Sequence, residues 1–247
     1  MKIIFLGTSH GVQAADRYCQ SMLIETEQGS YIIDAGAPVM DCLIRLSYDL
    51  KKIKGVFISH LHSDHTDGLL GLISLANWYY KEMKFDVFMP EQGGIDGVGA
   101  YLSAVFKNSP NYPNDRIHMH LVEEGVIYEN NGMKITAFPT GHMEHYQRPA
   151  YGYLLEAEGK RLYISGDLNG ARIDYPEFLN EEPVDGFVVE CAHFPAEALV
   201  EKLRSCKAKF VMPVHVWTLD KYDTIKSHAE ELPFGLAYPK DGDCFEI

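Results

Sequence analysis

Long hydrophobic runs are missing from this sequence of 247 residues. The longest uncharged apolar stretch, Gly68 to Tyr80, falls short of the roughly 20 residues a bilayer-spanning helix needs, and Ser74 and Asn77 interrupt it. The opening Met1-Lys2-Ile3-Ile4-Phe5-Leu6-Gly7 is too brief an apolar run for a secretory leader. No cysteine pair has C-x-x-C spacing. Cys19, Cys42, Cys191, Cys206 and Cys244 stand far apart, and an odd number cannot close completely into intrachain disulfides. These absences predict a cytoplasmic protein in a reducing compartment, with no membrane partner. Basic residues are scarce as well: 22 Lys and Arg against 35 Asp and Glu leave a formal charge of −13. Tracking a long nucleic acid depends on Lys and Arg to neutralise phosphates, so this balance speaks against such a partner while leaving a small anionic substrate open. Internal repeats, low-complexity tracts and linker-like runs are also absent.

What is present alternates. Short runs rich in Val, Ile, Phe and Tyr predict strands near Ile3-Leu6, Met22-Glu25, Tyr31-Ile33, Val56-Ile58, Val87-Met89, Ile135-Phe138, Tyr151-Glu156, Leu162-Ile164, Phe187-Val189 and Phe210-Pro213. Helical spacing appears at Val39-Leu46, Leu69-Met83, Val98-Phe106 and Ala196-Cys206. The pattern is α/β. Gly-containing turns at Glu27-Gln28-Gly29 and Glu158-Gly159-Lys160 add antiparallel pairing. Between Glu91 and Asp115, a glycine-rich helix candidate and the run Asn108 to Asn114 suggest a cover over a site, with Tyr112 placed to stack on a base.

The decisive segment is Phe57-Ile58-Ser59-His60-Leu61-His62-Ser63-Asp64-His65-Thr66-Asp67-Gly68, an apolar strand running into a polar loop. Imidazole and carboxylate suit divalent Zn, Mn or Fe. In H-x-H-x-D-H, one bend can aim His60 and His62 at one ion and Asp64 and His65 at another. Further ligands should leave the ends of other strands, and three positions do: His142 after Ile135-Phe138, Asp167 after Leu162-Ile164, and His215 after Phe210-Pro213. The resulting set is His60, His62 and His142 on one ion, Asp64, His65 and His215 on the other, with Asp167 shared. His145 competes with His142 for its place.

These residues, with Asp34 in Tyr31-Ile32-Ile33-Asp34-Ala35-Gly36, resemble the metallo-β-lactamase-fold hydrolases in order and over nearly the whole chain. The resemblance implies an α/β fold, a four-layer αβ/βα sandwich of two mixed sheets with outer helices, forming a single domain over residues 1–247. It also implies a place for Asp34 beneath the histidine loop, although a plain turn residue is an equal reading of the sequence. His62 stands where the diiron redox relatives carry Glu, and Asp167 where common β-lactamases carry Cys, which favours phosphodiester or ester hydrolysis. The segment Phe5-Leu6-Gly7-Thr8-Ser9-His10-Gly11-Val12, with Arg17 and Ser21, is similar to the branch of tRNA 3′-processing endonucleases and small cyclic phosphodiesterases. Val189-Glu190 lacks the endonucleases' His-Glu motif, and no Lys-rich arm is visible. The cysteine spacing provides no structural zinc site of the phosphoribosyl cyclic phosphodiesterase kind.

The remaining expectation is a dinuclear-metal phosphodiesterase for a small substrate, most simply a cyclic nucleotide, as in the anti-Pycsar enzymes that Glu190-Cys191-Ala192-His193-Phe194 resembles. Two divalent ions can share a water and lower its pKa toward neutrality. Asp64 would orient the resulting nucleophile, and His193 would protonate the leaving group. His10, Arg17, His145 and Arg148 are candidate substrate contacts, with guanidinium matching phosphate. His118 and His120 read as exposed positions on one strand face. The relatives imply a homodimer. Alternatives are a tRNA 3′ endonuclease, a lactone, thioester or β-lactam hydrolase, and a non-catalytic metal-binding module.

Overall fold

The computed structural model describes residues 1–12, 14–107 and 115–247. Along β1 (Lys2–Gly7), Ile3 and Phe5 enter one buried cluster while Ile4 and Leu6 pack against another. In β2 (Ser21–Glu25) and β3 (Ser30–Ile33), Met22, Ile24, Tyr31 and Ile33 follow the first pair, and Leu23 and Ile32 the second. Neighbouring side chains on a strand point to opposite faces, so strands apolar throughout require cover on both.

These three strands are antiparallel neighbours. From β3 the sheet continues in parallel through β4 (Ile53–Phe57), β5 (Phe85–Met89) and β6 (Ile117–Leu121). Its connections carry α1 (Val39–Arg45), the single turn α2 (Ser63–Thr66), α3 (Leu69–Trp78) and α4 (Gln92–Val105). In the second sheet β7 (Gly125–Asn130), β8 (Met133–Pro139), β9 (Tyr151–Ala157) and β10 (Lys160–Ile164) pair antiparallel. There β10, β11 (Val184–Glu190), β12 (Ala208–Val214) and β13 (Gly235–Leu236) pair in parallel, with α5 (Ala196–Leu203) and α6 (Asp220–Ser227) as crossovers. Finally β14 (Cys244–Glu246) returns to β1, giving two mixed seven-stranded sheets. Each sheet is antiparallel on one side and parallel on the other, a structural repeat with no counterpart visible in the sequence.

Phe5, Tyr31, Phe57, Tyr153, Met212 and Val214 meet between the sheets. Leu43, Leu72, Ile73 and Leu102 seat α1, α3 and α4 on the outer face of the first sheet, and Leu199, Leu203 and Ile225 seat α5 and α6 on the second. Helix, sheet, sheet, helix is the expected sandwich. No helix among the described residues is long and apolar enough to cross a membrane.

Several boundaries differ from the sequence reading. The helix expected over Leu69-Met83 stops at Trp78. Met83 is buried in the same cluster but reaches it from the turn before β5, so apolar spacing outlasts the helix. Instead of starting at Val98, α4 starts at Gln92 and runs through four glycines. At one of them, Gly94, a Cβ would come within 2.7 Å of Met89, so close packing overrides helix propensity. The strands β7, β13 and β14 and the helix α6 are additional to the expected elements, and β6 is the strand expected to carry His118 and His120. His118 and His120 do share a face of β6, exposed and paired with Asp86. Tyr112 and the Asn108–Asn114 run lie outside the described residues.

Candidate metal centre

The loop leaving β4 is fixed from beneath before any side chain reaches the centre. Asp34, buried and with φ of 57°, accepts from Ser59 N at 2.7 Å and Ser59 Oγ at 3.0 Å, and its Oδ2 lies 2.7 Å from His65 Nδ1. Ser59 Oγ is also 3.1 Å from His60 Nδ1. With their Nδ1 atoms engaged below, both rings present Nε2 to the centre. Such supports fix tautomer and ring orientation. A second bond set ties the loop to the chain after β3: Ala35 N donates to His65 O at 2.8 Å and Gly68 N to Ala35 O at 2.7 Å.

The other donors come from the second sheet. His142 follows β8. Asp167 follows β10 through Gly166, whose φ of +58° and 2.4 Å approach to Tyr151 O admit no Cβ. His215 ends β12 with φ of 56°, a conformation uncommon outside glycine, held by its N–H on Thr8 O at 3.0 Å. The first-strand Gly-Thr-Ser-His segment thus braces a ligand position from the opposite sheet. Asp174 takes Gly141 N at 2.7 Å and Asn169 N at 2.8 Å, joining the loops of His142 and Asp167.

The expected donors gather into two groups. His62 Nδ1 lies 3.0 Å from His60 Nε2 and 3.2 Å from His142 Nε2. His215 Nε2 lies 3.3 Å from His65 Nε2 and 3.2 Å from Asp64 Oδ2. Asp167 Oδ2 reaches both, at 3.7 Å from His60 and His142 and 3.4 Å from His65. Bonds of about 2.0–2.1 Å in a tetrahedron put neighbouring donors about 3.3 Å apart, so both groups fit divalent cations. Their chemistry fits too: nitrogen and oxygen donors without thiolate suit Zn, Mn or Fe. Buried His215 Nδ1 has no hydrogen-bond partner among the described residues, lying 3.5 Å from Asp167 Oδ1.

Electrostatics divide the histidines. Burial, reinforced by the neighbouring His65, pushes His60 well below its ordinary pKa, and burial lowers His62 and His142 as well, keeping lone pairs free. Burial also works against charge on His65, but Asp167 and Asp34 outweigh it and raise that pKa well above the usual value. Burial likewise opposes charge on Asp64 and Asp167; the surrounding histidines, His215 foremost, hold both below the usual carboxylate range.

His193 stands beside this set, its Nδ1 3.1 Å from Glu190 Oε1 and 3.9 Å from Asp167 Oδ2. Burial opposes its charge, yet the hydrogen bond and charge of Glu190 raise its pKa. His10 lies 5.1 Å, ring to ring, from His215 and stacks on the exposed Trp217 at 5.9 Å with planes 10° apart. Burial, with His215 and His193 nearby, lowers the His10 pKa.

The other candidate contacts are not members of the donor groups. His145 is exposed beside Tyr146 on a short turn, outside both donor groups. The Arg148 guanidinium is taken by Glu91. Arg17 donates to Val216 O and lines a cavity of about 570 Å³ behind the loop with Tyr18, Asp41 and Asp67; no His or Asp of the donor groups lines it. Sequence reading missed Ser59, Asp174 and Trp217, and treated Glu190 only as part of a motif. The serine preceding H-x-H was the one visible signal.

The model for the family described as anti-Pycsar protein Apyc1 matches residues 1–209. The chain belongs to that family. Among curated relatives, the ribonuclease Z of Synechocystis sp. is 31% identical over 159 residues, covering 63% of this chain and 46% of the relative. The chain thus spans about half the length of the curated relatives it matches. Among solved structures, human tRNase Z, short form, superposes with a TM-score of 0.75 at 17% identity, covering 100% of this chain and 99% of that one. The metallo-β-lactamase fold protein YhfI from Bacillus subtilis gives 0.76 at 15%, covering 99% of each chain. These two likenesses establish the metallo-β-lactamase fold of this Apyc1-family chain.

Proposed function

We propose that this protein is a dinuclear-metal phosphodiesterase that opens the ring of a 3′,5′-cyclic mononucleotide. The observation that carries the reading is His193, held by Glu190 through Nδ1 and placed beside the donor group that contains Asp167. His60, His62 and His142 would hold one cation, and Asp64, His65 and His215 the other, with Asp167 between them. When bound, two divalent cations, most simply Zn, supply Lewis acidity to the phosphate oxygens and lower the pKa of water toward neutrality.

The chain's own groups do the rest. The attacking water gives up one proton to solvent, and Asp64 accepts a hydrogen bond from its remaining O–H and orients the oxygen toward phosphorus. As the new P–O bond forms, the P–O3′ bond breaks, and its electron pair goes to the departing oxygen. His193, with Nδ1 occupied by Glu190, gives that oxygen its proton from Nε2. Asp34 and Ser59 keep the His60 and His65 rings aimed throughout. The His10–Trp217 stack offers an aromatic surface for a nucleobase at the edge of the site. Family membership and the charge of −13 both favour a mononucleotide over a long polyanion.

Zn- or Mn-loaded protein incubated with 3′,5′-cyclic mononucleotides should yield linear 5′-monophosphates, with loss of turnover in Asp64→Ala and Asp167→Ala. No turnover of any cyclic mono- or dinucleotide by protein carrying two ions would overturn the reading. A tRNA 3′-processing activity is the second reading, favoured by the ribonuclease Z relatives, and cleavage of precursor tRNA would establish it. A homodimer belongs to the proposal as well, and light scattering would test it.

A further inference from the structure

The loop between β11 and α5 carries His193, and its backbone is divided between two opposite charges. Its N–H groups turn to Glu190: Oε2 accepts from Ala192 N at 2.6 Å and His193 N at 3.3 Å. Its carbonyls turn the other way. Lys221 Nζ donates to Cys191 O at 2.6 Å, Ala192 O at 2.7 Å and Phe194 O at 2.8 Å, which uses all three ammonium protons. No ion pair joins Lys221 to a carboxylate among the described residues. Nor does the lysine serve its own helix. It lies in the first turn of α6, where a positive charge opposes the helix dipole.

We infer that Lys221 is a positioning residue for His193, holding the 191–194 loop by its carbonyls so that the imidazole stays on Glu190 and faces the scissile bond. The inference rests on the proposed role of His193 as leaving-group acid. Without the ammonium, three carbonyls on an otherwise irregular loop lose their donor, and the loop can turn His193 away from Glu190. A cationic side chain with at least three N–H donors suits this task, because three carbonyls must be met at once; the arginine guanidinium also carries enough donors.

The test uses leaving groups. A sugar alkoxide needs a proton as it departs, whereas p-nitrophenolate does not. In metal-loaded Lys221→Met, kcat for the cyclic nucleotide should fall about 10- to 100-fold with KM nearly unchanged, within the usual worth of a general acid. Hydrolysis of bis(p-nitrophenyl) phosphate should change by less than about threefold, since that general-acid contribution is then not required. Lys221→Arg should recover most of the loss. In a His193→Ala background, Lys221→Met should add almost nothing, the mark of two residues acting through one function. Equal losses on both substrates, or a full additional loss in the His193→Ala background, would overturn the inference. Nitrogen-15 histidine spectra give a readout that does not depend on the substrate. The His193 Nδ1 signal should change in Lys221→Met and return in Lys221→Arg; an unchanged signal refutes the positioning role. Failure of the unaltered protein to cleave cyclic nucleotides would count against the proposed function alone, because the spectra still decide the role of Lys221.

Discussion

Gly36 offers a sharp test of how rigidly the histidine loop must be held. A Cβ built there would sit 1.7 Å from the carbonyl oxygen of Asp64, 2.4 Å from its carbonyl carbon and 3.0 Å from Cys19 Cβ. The obstacle is backbone, so no side-chain rotation relieves it. In Gly36→Ala the peptide linking Asp64 to His65 must retreat by about 1.7 Å to reach ordinary contact, well beyond the ~0.2 Å tolerance of metal–ligand distances. Overpacking of this kind costs about 1–3 kcal/mol, and at 2–4 °C per kcal/mol for a chain of this size the metal-free melting temperature should drop by about 2–12 °C. Displaced ligands should weaken cation binding about 10- to 100-fold. Calorimetry of chelator-stripped protein and competition with a chromophoric chelator measure the two effects separately. Gly71→Ala is the control. That glycine lies in α3 with nothing within 4 Å of the new methyl, so helix propensity should leave stability unchanged or raise it by up to about 1 kcal/mol. If Gly36→Ala kept both its melting temperature and its cation affinity, the loop would not be locked as described.

Other outcomes follow from neighbouring contacts. Asp34→Asn keeps the shape but replaces one acceptor oxygen with a donor facing Ser59 or His65, and should lower cation affinity about 10- to 100-fold in the same chelator competition. Glu190→Gln removes the charge that raises the His193 pKa; in its proposed role as leaving-group acid His193 acts protonated, so activity should be lost as pH rises through that pKa. The alkaline limb of the kcat profile should therefore move to lower pH, and an unmoved limb would refute the pairing. Trp217→Ala should raise KM for cyclic nucleotides while leaving bis(p-nitrophenyl) phosphate hydrolysis nearly unchanged. Chelation should lower the melting temperature, and re-adding cation should restore it in proportion to the logarithm of its concentration.

The sequence displayed some of this clearly and concealed the rest for physical reasons. Each donor follows an apolar strand, and strand ends are where a sheet edge presents side chains, so His60, His62, Asp64, His65, His142, Asp167 and His215 were visible together. The register after Ala137-Phe138 favours His142 over His145 without excluding His145, because the turn after β8 decides which ring points inward. Arg17 and Arg148 illustrate the opposite difficulty. Their chemistry suits phosphate, but the Glu91 carboxylate takes up Arg148, while Arg17 makes one long bond, 3.4 Å to Val216 O, and lines a cavity that none of the donor residues enters; such placements are set by tertiary contacts. Lys221 and Glu190 act through backbone atoms of a loop between them, and backbone acceptors leave no trace in residue identity. The edge strand β7 was obscured by its half-exposed face, which lacks the continuous apolar run of the central strands.

The donors are drawn from both sheets: four from the loop after β4, and three from the ends of β8, β10 and β12. Neither half of the chain can assemble a complete cation group of its own, since His142 must meet His60 and His62, and His215 must meet Asp64 and His65. Bound metal would therefore report that the two halves have docked in register. Substitutions far from the site that let the sheets slide should show first as altered metal stoichiometry, before any loss of helix or strand content.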